Sequence, residues 1–177
     1  MDAAPQIQQP FVWPITVDWE LAFTRPPAQK AIAYWRSLLH GRRMPTRREL
    51  NPQAMKDFLK YVNLVDVLSL AAGEWDYAVS LQSTDACEVL GDIKGRRFAE
   101  VFPPHHAQRW RNSFDLPREE KTPVRLLTRA STRNKNWLAC EVLLAPLGEH
   151  DRVTSIFWLT AAWPANDPAF PHQTGFA

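Results

Sequence analysis

Three apolar, β-prone runs fill the second half of the chain, Thr122–Ala130, Asn136–Leu147 and Arg152–Trp163, with only short polar breaks between them. Breaks this short admit hairpins and exclude the crossover of a dozen or more residues that parallel neighbours need, so an antiparallel meander is predicted. Upstream, Tyr61–Leu68 is nearly continuous in apolar residues, with Val62, Leu64 or Val65, and Val67. After a turn at Ala72-Gly73, Trp75–Gln82 alternates: Trp75, Tyr77, Val79 and Leu81 share one face, and Asp76, Ala78, Ser80 and Gln82 the other. Period-two patterning marks a half-buried strand. Two strands, several short helices and three more strands predict an α+β fold: a five-stranded antiparallel sheet with small helices over one face and a pocket beneath them.

The helices are read from their stripes and stops. In Pro27–His40, Ala31, Tyr34, Trp35, Leu38 and Leu39 make one apolar stripe, Pro26 and Pro27 suit a first turn, and Gly41 suits the stop. Asn51-Pro52 is predicted to open a second helix with Met55, Phe58 and Leu59 as its apolar face. Thr84 or Asp85 caps a short helix that ends at Gly91, and Phe98, Val101 and Phe102 form a small cluster. Pro103–Leu116 is predicted as the longest helix of this half, stopped by Pro117. Proline-rich ends set the organisation: 1–26 an irregular arm that docks through Phe11, Trp13, Trp19 and Phe23, 27–163 a single domain, and 164–177 a loose tail.

A length of 177 residues, with 45% hydrophobic and 23% charged, suits one globular domain with its own core. The net charge of +2 is too small to argue for nucleic acid. No apolar run approaches the ~20 residues of a membrane span, and Met1-Asp2-Ala3-Ala4-Pro5 lacks the basic start of a secretory signal. Both cysteines, Cys87 and Cys140, stand in apolar settings and are read as reduced thiols. Together these features predict a cytoplasmic location.

Candidate chemistry is sparse. Arg42, Arg43, Arg47 and Arg48 crowd one turn, either as an anion-docking patch or as a solvated turn with ion pairs to Glu49 and Asp57. The stretch from Gly41 to Asn51 is too long for a helix-turn-helix connection of ~3–4 residues, which removes most of the case for DNA. His105 and His106 open the long helix, where adjacent side chains diverge and at most one faces inward. Haem ligation is disfavoured, and no cysteine or histidine spacing suits zinc. There is no nucleophile elbow or phosphate-binding glycine loop, and the chain has only six glycines. Glu141 is read as an outward sheet residue.

The order Tyr34-Trp35-Arg36-Ser37-Leu38, Gly41-Arg42-Arg43-Met44-Pro45-Thr46-Arg47, Asn51-Pro52, Val65-Asp66-Val67 and Val89-Leu90-Gly91 to Gly95-Arg96-Arg97-Phe98 resembles the PAS_5 type of bacterial PAS domain over residues 28–163. The chain departs where that family usually shows Arg-Leu-x-Gly-Thr, having Ser80-Leu81-Gln82-Ser83-Thr84. It also lacks the Asn-Cys-Arg-Phe context of the flavin light sensors, which argues against flavin. The resemblance implies a sensory or regulatory module without catalysis, acting on a regulatory protein partner. With it comes the expectation of a small ligand under the helices, near Tyr77, Leu81, Phe98, Phe102, Trp110, Cys140 and Trp158, unless those rings fill the space themselves. A homodimer through Tyr34, Trp35, Leu38 and Leu39 is a further expectation. The alternatives are an enzyme pairing His105 or His106 with Asp85 or Glu100 as acid and base, and an anion or nucleic-acid binder at the Arg42–Arg48 turn.

Overall fold

A computed structural model describes residues 14–129 and 138–166. Six strands form one antiparallel sheet: β1 (Thr16–Asp18), β2 (Val62–Ser69), β3 (Trp75–Leu81), β4 (Val124–Arg129), β5 (Leu138–Glu149) and β6 (Arg152–Pro164), in the order β1-β4-β5-β6-β2-β3. The meander β4-β5-β6 is as expected, within the described residues. The extra strand is β1, which lies inside the stretch read as an irregular arm and pairs with β4, Val17 facing Leu126. Three residues carry too little pattern to register as a strand. Of the aromatics expected to dock the arm, Phe23 is buried, Trp19 is exposed, and Phe11 and Trp13 lie outside the described residues.

The tight end of the β5–β6 hairpin has a physical cause. His150 and Asp151 both have positive φ, 49° and 64°, the pair of left-handed residues that a two-residue primed turn requires. Arg43 and Lys121 hold the Asp151 carboxylate from two sides. Just before the turn a bulge falls at Leu147/Gly148, where a Cβ on Gly148 would lie 1.9 Å from the Arg152 carbonyl oxygen. Only glycine fits that close approach.

The helices are α1 (Pro26–Ser37), α2 (Thr84–Leu90), α3 (Phe98–Val101) and α4 (Pro104–Glu120). They lie on both faces of the sheet. On β5, Cys140, Val142 and Leu144 face α2 and α4, whereas Glu141, Leu143 and Ala145 face α1. Trp35 of α1 is 3% exposed and donates its indole N–H to the Pro146 carbonyl at 3.0 Å. Burial on both sides explains why β5 and β6 read as almost unbroken apolar runs, the sign of a sheet covered on two faces.

Three further expectations are corrected. Asn51-Pro52 opens no helix. Asn51 Oδ1 accepts from Gln53 N at 2.9 Å, and the chain continues in turns to a 3-10 turn at Leu59–Tyr61. Met55 and Phe58 are buried, and the Phe58 ring lies 5.9 Å from that of Tyr34, so docking onto α1 decides this segment's path. Pro117 does not stop α4, which runs on to Glu120 and ends at Lys121 with φ 53°. Its last turn is tied down by Arg118, which donates to Asp115 at 3.0 Å and to the Tyr77 hydroxyl at 3.1 Å.

The third correction concerns Glu141, which is fully buried. Its carboxylate accepts from Arg125 Nη2 at 2.7 Å and Nε at 2.8 Å, and from the backbone N–H groups of Thr24 and Arg25 at 2.9 Å each. Arg125 in turn donates to Asp18 at 3.0 Å. Burial works to raise the Asp18 carboxyl, but Arg125 and the backbone N–H groups of Ala22 and Glu20 outweigh it and hold the group below the usual carboxylate range. This cluster fastens the segment leading into α1 onto the sheet. Arg25 completes it by stacking on Trp163, 3.5 Å from the ring centre.

Candidate ligand-binding site

The space between the sheet and α2–α4 is divided in two. One half is filled by rings. Tyr77 lies 5.8 Å from Phe98 and 5.3 Å from Phe114, Phe98 and Phe114 are 5.0 Å apart, and Trp158 approaches Phe114 to 5.6 Å and Trp110 to 5.8 Å. Burying each such side chain contributes about 1.5–3 kcal/mol, so this cluster is the inner core. Tyr77 belongs to it through its hydroxyl as well, donating to Asp115 at 2.5 Å. Burial, and then the Asp115 carboxylate, push the phenol pKa well above its ordinary value.

The other half is open. A cavity of about 380 Å³ lies between α2, the first turns of α4 and the inner face of β4–β6. That volume falls within the range of about 300–1,000 Å³ typical of small-molecule pockets. Its floor is Cys140, Val142, Trp158 and Thr160, its roof Ala86, Val89, Leu90, Phe102 and Trp110, and its polar rim includes Asp85, Glu88, His106, Arg109 and Thr128.

Local sequence positions each wall. Ser83 caps α2 by accepting from Ala86 N at 3.1 Å, a cap expected one or two residues later. The Ser83 amide donates in turn to the Oδ1 of buried Asn63 on β2 at 2.8 Å, which locks α2 to the sheet. Gly91, at φ 76°, turns the chain away at the other end of the helix. Pro103 and Pro104 lead into α4, which places His106 and Arg109 a turn apart on the cavity side.

Of the seven residues expected to meet a ligand, Phe102, Trp110, Cys140 and Trp158 line the cavity. Tyr77 and Phe98 lie instead in the packed ring cluster. Leu81 is 38% exposed at the end of edge strand β3, where the bulge at Leu64/Val65 breaks the register of its face. Sequence reading missed α2 as a wall, together with Asn63, Thr128 and Thr160. A strand ending against a capped helix was the available signal for Ser83 and Asn63.

The other candidates separate. Arg42 pairs with Glu49 at 2.5 Å, Arg43 with Asp151 at 3.2 Å and Arg47 with Asp66 at 2.6 Å, while Arg48 is exposed. Ion pairing within the chain therefore accounts for most of the arginine turn, although Asp57 pairs with Lys30 instead. Within the α1 stripe, Trp35 is buried on the sheet, the Tyr34 hydroxyl accepts from Asn51 N at 2.8 Å, and Leu38 and Leu39 are half-buried. Tyr34, Trp35 and Leu39 of the stripe pack within the chain's own core. His106 lines the cavity and His105 is exposed. Glu100, offered as an acid partner, is held by Arg97 at 2.8 Å and is not among the cavity's lining residues. Cys87 and Cys140 are not joined in a disulfide.

An antiparallel sheet with short helices packed on it and a cavity beneath α2 and α4 is an α+β architecture. The PAS_5 family model, described as a PAS domain, matches residues 23–159, and the chain belongs to that family. Neither the curated proteins nor the solved structures contain a match. PAS domains are sensory and regulatory modules. Among the described residues no helix is long and apolar enough to cross a membrane.

Proposed function

We propose that this PAS domain is a cytoplasmic regulatory module that binds a small molecule in the cavity between α2, α4 and the sheet and reports its occupancy to a protein partner. The single observation behind this reading is the cavity itself. The chain has rings enough to close the space, yet they gather at the β3 end and leave about 380 Å³ open beside Cys140 and Trp158. Its lining surface is mainly apolar, with polar and charged groups contributed by α2, α4 and β4, a mixture expected of a small-molecule site. The coupling route is short. α2 rests on the turn at Leu59–Tyr61, which leads directly into β2, so a ligand that shifts α2 also loads the sheet.

The test is native mass spectrometry of the full chain purified gently from its source cells, beside Cys140→Phe, which fills the cavity floor. The wild type should carry a bound small molecule that the variant lacks. A bare polypeptide mass for the wild type, or equal retention by both, would overturn the proposal.

A further inference from the structure

The charged groups around the cavity are of both signs, and the chain uses them itself. Asp85 and Glu88 stand on α2, Arg109 on α4 and Arg129 on β4. Arg109 donates to Thr128 Oγ1 at 3.1 Å, and the Thr128 hydroxyl donates onward to the Pro14 carbonyl at 3.0 Å. Glu88 and Arg129 have interactions of their own within the chain. Lys60, on the turn adjoining α2, is held above its ordinary pKa first by the Tyr61 hydroxyl and then by the charges of Asp85 and Glu88. His106 adds no charge at neutral pH, because burial, and then the positive charges of His105 and Arg109, pull its imidazole below the ordinary value. Its Nε2 is itself buried and offers no surface to an occupant.

The uncharged polar groups of the lining are used in the same way. The Trp158 indole N–H donates to Thr160 Oγ1 at 2.8 Å. Asn63 Oδ1 accepts from Ser83 N at 2.8 Å, and Ser83 Oγ from Ala86 N at 3.1 Å. Between these groups the walls are Val89, Leu90, Phe102, Trp110, Cys140 and Val142. A charged molecule entering here gives up its hydration against apolar walls, and each ionic group nearby already has another use; burying a charge that way is costly. An apolar molecule gives up no hydrogen bond, and it gains with every methylene it buries.

Resting on the cavity's role as a ligand site, we infer that its occupant is an uncharged, predominantly apolar small molecule, selected by shape and apolar area and not by an ion pair. Its body lies between Val89 and Leu90 of α2 and Cys140 and Val142 of β5. Acids and amines of the same length are rejected alike.

Calorimetric titration of the full chain at neutral pH with butan-1-ol, hexan-1-ol and octan-1-ol, beside octanoate and octylamine, tests this. Affinity should rise about fourfold for each added methylene across the alcohols. Octanoate and octylamine, both ionised, should each bind at least about tenfold more weakly than octan-1-ol. Cys140→Phe on the floor and Leu90→Phe on the roof should each abolish octan-1-ol binding, with a cooperative urea transition showing which of the two variants is folded. Octanoate or octylamine binding as tightly as octan-1-ol overturns the uncharged assignment and leaves the ligand site standing. An affinity that does not change along the alcohol series overturns the apolar assignment, and octan-1-ol binding that survives in a folded variant overturns its location. If no probe binds while native mass spectrometry shows a retained molecule, the assigned class is wrong and the ligand site holds. If no probe binds and nothing is retained, both readings fall.

Discussion

Replacing Glu141 by alanine removes the acceptor shared by Arg125 and by the Thr24 and Arg25 backbone N–H groups, at a site with no exposure to solvent. Arg125, itself 3% exposed, loses its buried counter-charge and keeps its contact to the more exposed Asp18. Breaking a buried ion pair from one side costs about 3–5 kcal/mol, a large share of the ~5–15 kcal/mol that holds a typical domain folded. The double change Arg125→Met with Glu141→Leu removes the stranded charge and should recover part of the loss. Recovery stays incomplete because the two N–H groups still lack an acceptor, each worth about 1–3 kcal/mol when buried. Urea unfolding followed by tryptophan fluorescence gives the three stabilities. Amide exchange at Thr24 and Arg25 shows whether the lead into α1 has come loose. A Glu141→Ala loss below about 1 kcal/mol, in the range of ordinary surface changes, would refute the reasoning. So would unchanged protection of those two amides.

Two further perturbations follow from the same structure. Glu49 is pulled from 4.5 down to about 2, first by Arg42 and then by the Thr46 backbone N–H. Because its folded pKa is depressed, its contribution is complete above about 4.5 and fades as pH falls toward about 2. Urea midpoints of wild type and Glu49→Gln should therefore differ at pH 5 and converge by pH 2, and a gap that widens in acid would contradict the sign. Trp35→Ala should cost about 3–5 kcal/mol, as for a large buried ring, and should leave the oligomeric state by light scattering unchanged, since Trp35 serves the chain's own sheet.

Much of the sheet was legible because its pattern is local. Short breaks forced the meander, and the Tyr77 and Val79 face is the inner face of β3. What escaped was set by tertiary context. Glu141 looked outward because polar residues usually mark the solvent face, but here the second face is another core. The near-unbroken apolar runs of β5 and β6 carried that information and were read as only one buried face. Pro117 looked like a helix stop because sequence does not show that Arg118, the residue after it, finds Asp115 and Tyr77. The cavity was half legible: Phe102, Trp110, Cys140 and Trp158, expected beside a ligand, do line it, whereas Leu81 fell to a bulge and the α2 wall depends on a contact between Ser83 and Asn63 twenty residues apart. Whether rings fill a space or border it is decided by packing, which periodicity does not encode.

The central claim is that a small molecule is sensed on the inner face of the sheet and not on the face covered by α1. Tryptophan indole N–H signals in a ¹H–¹⁵N NMR spectrum read both faces at once, since Trp110 and Trp158 border the cavity and Trp35 lies on the far side. On adding a small-molecule extract of the source cells, the account predicts shifts at Trp110 and Trp158 with Trp35 unmoved. Shifts confined to Trp35, or none at the two cavity tryptophans, would contradict it.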